Sequence, residues 1–220
     1  MSSQHLILDL ETTGLEATGD RAAAIVEMGG IALDARLQPI EDIPVFHTLV
    51  RPFDGADISK QAIRVNHHNW VLEKSGTRWD EAVALEVAVQ QLRDYVSEYF
   101  DEPASYYDRL VMCGWNISFD ENFMKAAFRR VYGEPGTGTH YWPFHHHKLD
   151  FLSICRYLDT LVNHERRSGY KLERIATHYF GTPLVKIAAH TALGDCQMCL
   201  KVLNAVKEET LEKLQRTPVP

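Results

Sequence analysis

This chain has no apolar run of the roughly 20 residues that a bilayer-spanning helix requires, so no membrane span is expected. Its start, MSSQHLILDLE, lacks a basic leading region and meets charge almost at once, which argues against a secretory signal. Cysteine is sparse. Four residues (Cys113, Cys155, Cys196, Cys199) in 220 do not make a disulfide framework, and a reducing, cytoplasmic setting is the expectation. Positive charge is in deficit as well. The net charge of −7 speaks against a long wrapped contact with a polyanion. The deficit is uneven, however. Residues 1–120 carry 9 Lys/Arg against 20 Asp/Glu, while residues 121–190 carry 10 against 6 and hold seven of the eleven histidines. A modest basic face can still meet phosphates, in short contact with a strand end.

What is present is the composition of an ordinary globular protein, long enough for one α/β domain with a sizeable core. Residues 5–10 (HLILDL) read as a buried strand ending in acid. Residues 25–33 (IVEMGGIAL) read as a second, with glycines suggesting a bulge, and 45–50 (VFHTLV) as a third. Together they predict an antiparallel meander. Short helical turns are expected over 59–75, and a long amphipathic helix over 79–100. A buried strand follows over 110–114, then a helix over 118–131 with Ser118 and Glu121 in capping-box spacing. Residues 133–147 predict an irregular, His-rich loop. Helices are expected over 148–161, 171–180 and 191–213. Strands first, then strands alternating with helices, predict one mixed sheet flanked by helices.

Three short patterns carry chemistry. In Asp9-Leu10-Glu11, residues i and i+2 of a strand share a face, so two carboxylates stand side by side. Like charges so close repel unless a proton or cation intervenes, and hard divalent ions with oxygen ligands are the usual answer. Thr12, Thr13 and Gly14 then predict a tight turn whose N–H and hydroxyl groups suit a nucleotide terminus. Asn116-Ile117-Ser118-Phe119-Asp120 puts a carboxylate in the first turn of a helix, where the helix dipole alone favours one. In His190-Thr191-Ala192-Leu193-Gly194-Asp195, an imidazole able to act as a base near neutral pH precedes a carboxylate by five residues. Taken singly, each has an ordinary reading as a solvated strand end, a helix cap or a loop histidine.

Taken together, Asp9/Glu11, Asn116/Asp120 and His190/Asp195 resemble the D-x-E, N-x-x-x-D, H-x-x-x-x-D pattern of the DEDDh exonuclease family, over about residues 5–206. Ile58–Val65 with His67, Lys148–Asp150 and Leu172–Phe180 resemble further family segments. Asn66-His67-His68, without a clean His-Gly pair, and Gly194 before Asp195 depart from the pattern. The resemblance implies a ribonuclease H-like fold and a 3′→5′ exonuclease using two divalent ions, Mg²⁺ or Mn²⁺. It implies that Asp9, Glu11, Asp120 and Asp195 hold the ions and that His190 takes a proton from the attacking water. It also places Leu15 against the terminal base and makes Thr12, Thr13, Gly14, Asn116 and Phe119 further substrate contacts. The products would be nucleoside 5′-monophosphates. Residues 1–210 are then one exonuclease domain and 211–220 a flexible tail. The partner is a nucleic acid 3′ end, single-stranded by preference, with a homodimer or a polymerase as further possibilities.

Three weaker features have quieter readings. Trp70 is a candidate for base stacking, although a core role fits it too. A structural zinc on His140 and His145–His147 is not expected, because adjacent histidines cannot all face one ion and no cysteine is near. Asp150 suits a cap or a salt bridge better than a metal. Two rival functions remain open on sequence: a catalytically silent subunit that only grips nucleic acid or a polymerase, and a phosphoesterase acting on small phosphate esters.

Overall fold

His5–Thr12 forms β1, and its alternation sorts the protein into two layers. Leu6, Leu8 and Leu10 enter one apolar cluster, while Ile7 enters another on the opposite face. The computed structural model describes residues 4–73, 77–100, 109–135, 141–162, 169–182 and 190–216. The other strands are β2 (Ile25–Leu33), β3 (Phe46–Leu49), β4 (Leu110–Gly114) and β5 (Phe144–Asp150). They make one sheet of order β3-β2-β1-β4-β5, in which β1–β2 and β2–β3 are antiparallel and β1–β4 and β4–β5 parallel. This is the expected mixed sheet, with β1 at its centre. Over the face that receives Leu6, Leu8 and Leu10 pack α4 (Leu85–Tyr99) and α5 (Ser118–Tyr132); over the face of Ile7 pack α6 (Phe151–Val162), α7 (Leu172–Phe180) and α8 (Ala192–Arg216). Asp9 and Glu11 share the parity of Ile7 and therefore face α8. Three short helices, α1 (Lys60–Val65), α2 (Trp70–Glu73) and α3 (Thr77–Glu81), cover the β2 end. Among the described residues, no helix is long and apolar enough to cross a membrane.

Several expectations are corrected. The helix expected over 79–100 is two, α3 and α4, because the chain between them is drawn into the sheet. Val83 N–H donates to Leu49 O and Val83 O accepts from Arg51 N–H, at 3.0 and 2.7 Å. Ser118 does not cap α5: Ile117 holds the cap position, with no side-chain cap bond, and Glu121 pairs with Lys125 and Lys148 instead. The expected His-rich loop is partly β5, and α6 starts at Phe151. The pairing Leu110↔Phe144 is followed by Met112↔Lys148, so β5 spends four residues where β4 spends two. His145–His147 bulge out of register, which hides the strand from any period-2 pattern. The glycines of β2 mark a close approach rather than a bulge. The one register shift on β1–β2 lies at Glu11/Thr12. Finally, α8 runs to Arg216, so residues 211–216 of the expected tail are helical, and 217–220 lie outside the described residues.

Candidate active site

The acidic centre is built on a missing side chain. The cross-strand partner of Asp9 is Gly29. A Cβ at Gly29 would stand 2.5 Å from the backbone of both Ala192 and Leu193, so glycine here lets the first turn of α8 press onto the sheet beside Asp9. Thr191 Oγ1 accepts from Gly194 N–H at 3.2 Å and caps that turn. Asp195 then projects at the strand end. Single carboxylate oxygens of Asp9, Glu11 and Asp195 all lie within 4.8 Å of one another. Asp120 arrives from the opposite layer, in the first turn of α5. It is 4% exposed, and its Oδ1 accepts from Leu10 N–H at 3.0 Å, between the two β1 carboxylates.

These acids raise one another. Burial, then the charges of Asp120, Asp195, Glu11 and Glu27, push the Asp9 carboxyl well above the usual range. Burial first, and then Asp195, Glu27 and Asp120, push Glu11 up to about 8, against a hydrogen bond from Asn66. Burial lifts Asp120 to about 8 despite its backbone donors, and Asp195 to about 6 despite His190. Among the described residues, no lysine or arginine pairs with any of the four. A set of crowded oxygen ligands without its own cation fits hard divalent ions.

His190 lies at the mouth. Its backbone is left-handed (φ 69°), its N–H reaches Asp195 Oδ1 at 3.4 Å, and its ring meets that of His67 edge-on at 5.6 Å between centroids. His67 (φ 58°) and Asn116 (φ 57°) are also left-handed, so three non-glycine residues around the centre hold a conformation that L side chains seldom adopt. Beside Glu11 opens a cavity of about 490 Å³ whose wall includes Thr12, Gly14, Leu15, Asn66 and Phe119. Leu15 is 84% exposed, and Phe119 packs on Phe123 behind it.

The structure therefore gathers Asp9, Glu11, Asp120, Asp195 and His190, with Leu15, Gly14 and Phe119 on the adjoining wall. The turn hydroxyls do not behave as expected. Thr13 is fully buried, donating to Asp57 O at 2.6 Å and accepting from Ala24 N–H at 2.8 Å, and Thr12 Oγ1 donates to Gly14 O at 2.7 Å. Asn116 is exposed, and its N–H donates to Asp150 Oδ1 at 2.9 Å. Asp150 also accepts from Leu152 N–H and Ser153 Oγ–H, which makes it the cap of α6. Trp70 is no stacking platform: its Nε1–H donates to His68 Nδ1 at 2.9 Å, and it packs on Trp79. The bulge in β5 does bring the rings of His145, His146 and His147 together, with nitrogens within 4.8 Å. His145 Nδ1, however, accepts from His147 N–H at 2.9 Å, so its own proton sits on Nε2, where a metal would bind. His140 lies outside the described residues.

Sequence reasoning missed Glu27, Asn66 and His68. Glu27 is 2% exposed on β2, its carboxylate 2.7 Å from His68 Nε2 and 2.9 Å from His47 Nε2. Burial pushes its carboxyl up, but the two imidazoles outweigh this and hold it at about 2. Asn66 donates to Thr12 O at 3.0 Å and accepts from His68 N–H at 3.2 Å. A charged residue inside a nine-residue strand that is otherwise wholly apolar was the available signal for Glu27.

The chain resembles several known proteins. It is 26% identical to ribonuclease T of Vibrio parahaemolyticus over 129 residues, which are 57% of this chain and 55% of that one. It is 27% identical to ribonuclease T of Vibrio vulnificus over a similar stretch, 54% of that protein. The matched stretch is thus about half the length of these relatives. Its fold matches that of Escherichia coli exonuclease I in a zinc-bound complex with single-stranded DNA, with a TM-score of 0.68 at 15% identity, over 98% of this chain and 42% of the other. It also matches the cell-death related nuclease CRN-4, with a TM-score of 0.63 at 17% identity, over 94% and 64%. The RNase T exonuclease family model matches residues 6–203, from the start of β1 well into α8 and through all four acids of the centre, and the chain belongs to that exonuclease family.

Proposed function

We propose that this chain is a divalent-metal-dependent 3′→5′ exonuclease, folded as one exonuclease domain over residues 1–210, that hydrolyses the phosphodiester bonds of DNA or RNA from a 3′ end. The observation that carries the reading is the convergence of four carboxylates without a cationic side chain, beside an imidazole and a nucleotide-sized cavity. Asp9, Glu11 and Asp195, with Asp120, would hold two ions, Mg²⁺ or Mn²⁺. Bound there, the ions supply an acidified water and offset the charge growing on the scissile phosphate.

The protein's own groups do the rest. His190, held at the mouth by its backbone bond to Asp195, accepts the proton of the attacking water on its imidazole. Leu15 and Phe119 bracket the terminal base in the cavity, and Gly14 lets the turn approach the sugar. Thr12, Thr13 and Asn66 fix the turn from within rather than touching the nucleotide by their hydroxyl or amide groups. The exonuclease I complex contains single-stranded DNA, which supports a single-stranded 3′ end as the substrate here. Nucleoside 5′-monophosphates are the products.

The test is a 5′-labelled oligonucleotide incubated with Mn²⁺. A ladder shortening from the 3′ end, with release of 5′-monophosphates, is expected. An intact oligonucleotide, or cuts at internal bonds, would sink the reading.

A further inference from the structure

We propose that Glu27 is a positioning residue of the acidic centre, a fixed fifth carboxylate whose charge sets how tightly divalent ions are held by Asp9, Glu11 and Asp195. This rests on the reading of that centre as a metal site.

Glu11 and Glu27 are direct cross-strand partners. Residues so placed have Cβ atoms about 4.5–5.5 Å apart, and like charges directly opposite one another destabilise a sheet. Glu27 has nowhere to turn, since its side chain is 3% exposed and each carboxylate oxygen faces an imidazole nitrogen, Oε1 to His47 and Oε2 to His68. Oε2 and His68 Nε2 are both buried, 2.7 Å apart, and among the described residues neither has a hydrogen-bond partner.

His68 does not cancel the charge. The Trp70 indole N–H donates to His68 Nδ1 at 2.9 Å, so Nδ1 carries no proton and the ring's single proton is on Nε2, facing Glu27. The pair sets a neutral imidazole against a carboxylate at 2.7 Å. Among the described residues, no lysine or arginine pairs with Glu27 or Glu11. The loop that supplies His68 also supplies Asn66, which donates to Thr12 O, next in the chain to Glu11. One short segment therefore packs against both paired strands at the glutamates. Glu27 is held back from ligation and contributes its field at a fixed position. A cation at the Asp9/Glu11/Asp195 oxygens is the counter-charge that no lysine or arginine among the described residues supplies.

The variant Glu27→Gln separates charge from shape. His68 is locked as a donor by Trp70, so the glutamine Oε1 faces it. The amide N–H then faces His47, whose ring is 42% exposed and free to change tautomer. No buried group is left without a partner. Mn²⁺ binding is measured by titration calorimetry on wild type, Glu27→Gln and Asp9→Ala, with thermal melting to check the fold, and turnover is followed against Mn²⁺ concentration.

The expected result is a folded Glu27→Gln that binds Mn²⁺ about tenfold or more weakly, as loss of a nearby charge in a low-dielectric site requires. Its turnover should return toward wild type as Mn²⁺ is raised, a split that a merely structural role would not give. A folded Glu27→Gln with wild-type Mn²⁺ affinity overturns the proposal. If it does not fold, the triple variant Glu27→Met, His68→Leu and Trp70→Phe removes the charge together with the imidazole that faces it and the indole N–H that His68 accepts, and it must show the same loss. Failure of both to fold assigns Glu27 to the fold alone and likewise overturns the proposal. The two readings fail differently: a wild type that takes no Mn²⁺ sinks the metal site itself, whereas Mn²⁺ binding lost in Asp9→Ala but unchanged in Glu27→Gln sinks only the role of Glu27.

Discussion

Asp120 and Glu121 are consecutive residues, both buried, at 4% and 6% exposure, and their carboxyls move in opposite directions. Asp120 is lifted to about 8, while Glu121 is held below its usual range. A helix turns about 100° per residue, so the two look onto different neighbourhoods. Asp120 looks back at β1 and three further acids. Glu121 looks at Lys125, 2.8 Å away, and at Lys148 of β5. Burial is common to both and raises both. Partners decide the sign. An acid that the fold has matched with a cation belongs to the architecture; one left without a cation inside a cluster of its own kind is waiting for something from outside.

The hardest way to break this contrast is to remove an unmatched acid. Asp9→Ala or Asp195→Ala should abolish hydrolysis of a labelled oligonucleotide and Mn²⁺ binding together. The melting temperature of the metal-free protein should stay the same or rise, because repulsion is relieved. Retained turnover in either variant would remove that carboxylate from the centre. Next in size is His190→Ala. It should cut turnover by about 10²–10⁴ and leave Mn²⁺ affinity nearly intact if, as proposed, the ring accepts a proton beside the ligands and is not one of them. Loss of the ions with the ring would make His190 a ligand instead.

The contrast also has a pH signature. Glu11 and Asp120 bind protons in the folded chain up to about 8, against ordinary values of 4.5 and 3.8. A raised folded pKa gives stability that is complete below the unfolded value and is lost as pH rises through the folded one. The metal-free protein should therefore melt at a clearly lower temperature at pH 8.5 than at pH 5. Saturating Mn²⁺ should remove or reverse the slope, because it binds the deprotonated, folded site. Glu121 has the opposite sign: its contribution is present above the ordinary 4.5 and is lost as pH falls. A flat melting curve from pH 5 to 8.5 in the absence of metal would mean that the four acids are not crowded in solution.

Much of the unmatched centre was legible in the sequence, and little of the matched shell was. Asp9 and Glu11 declare themselves because a strand puts i and i+2 on one face, a local rule. Asp120 and Asp195 follow from their spacing from Asn116 and His190, as the family pattern places them. Glu27 could not be paired with Glu11 from the sequence, because that depends on the β1–β2 register. The same applies to Gly29, read as a bulge and found to be the gap through which α8 reaches Asp9. The helix expected over 79–100 broke at Val83 for a contact with β3 that no periodicity encodes. β5 was hidden because its bulge destroys the alternation by which strands are read. Each miss lies where a long-range contact overrides a local pattern.

The smallest expected effect tests the matched side of the comparison. Lys148→Ala removes one of two lysines from Glu121 and leaves Lys125 in place. Both lysine side chains are substantially exposed, at 32% and 43%, so solvent screens the pair. The loss of stability should be about 0.5–1 kcal/mol, a shift of roughly 1–4 °C in melting temperature for a chain of this length. Mn²⁺ affinity should not change, because Glu121 faces away from the β1 carboxylates and its charge remains compensated by Lys125. The cleaner readout is therefore the pairing of the two measurements. A small drop in melting temperature with unaltered Mn²⁺ binding keeps Glu121 in the architecture. If Lys148→Ala instead strengthens Mn²⁺ binding, an acid freed of one lysine has joined the centre, and the boundary between Asp120 and Glu121 is a matter of which cation is at hand rather than of which way the helix turns.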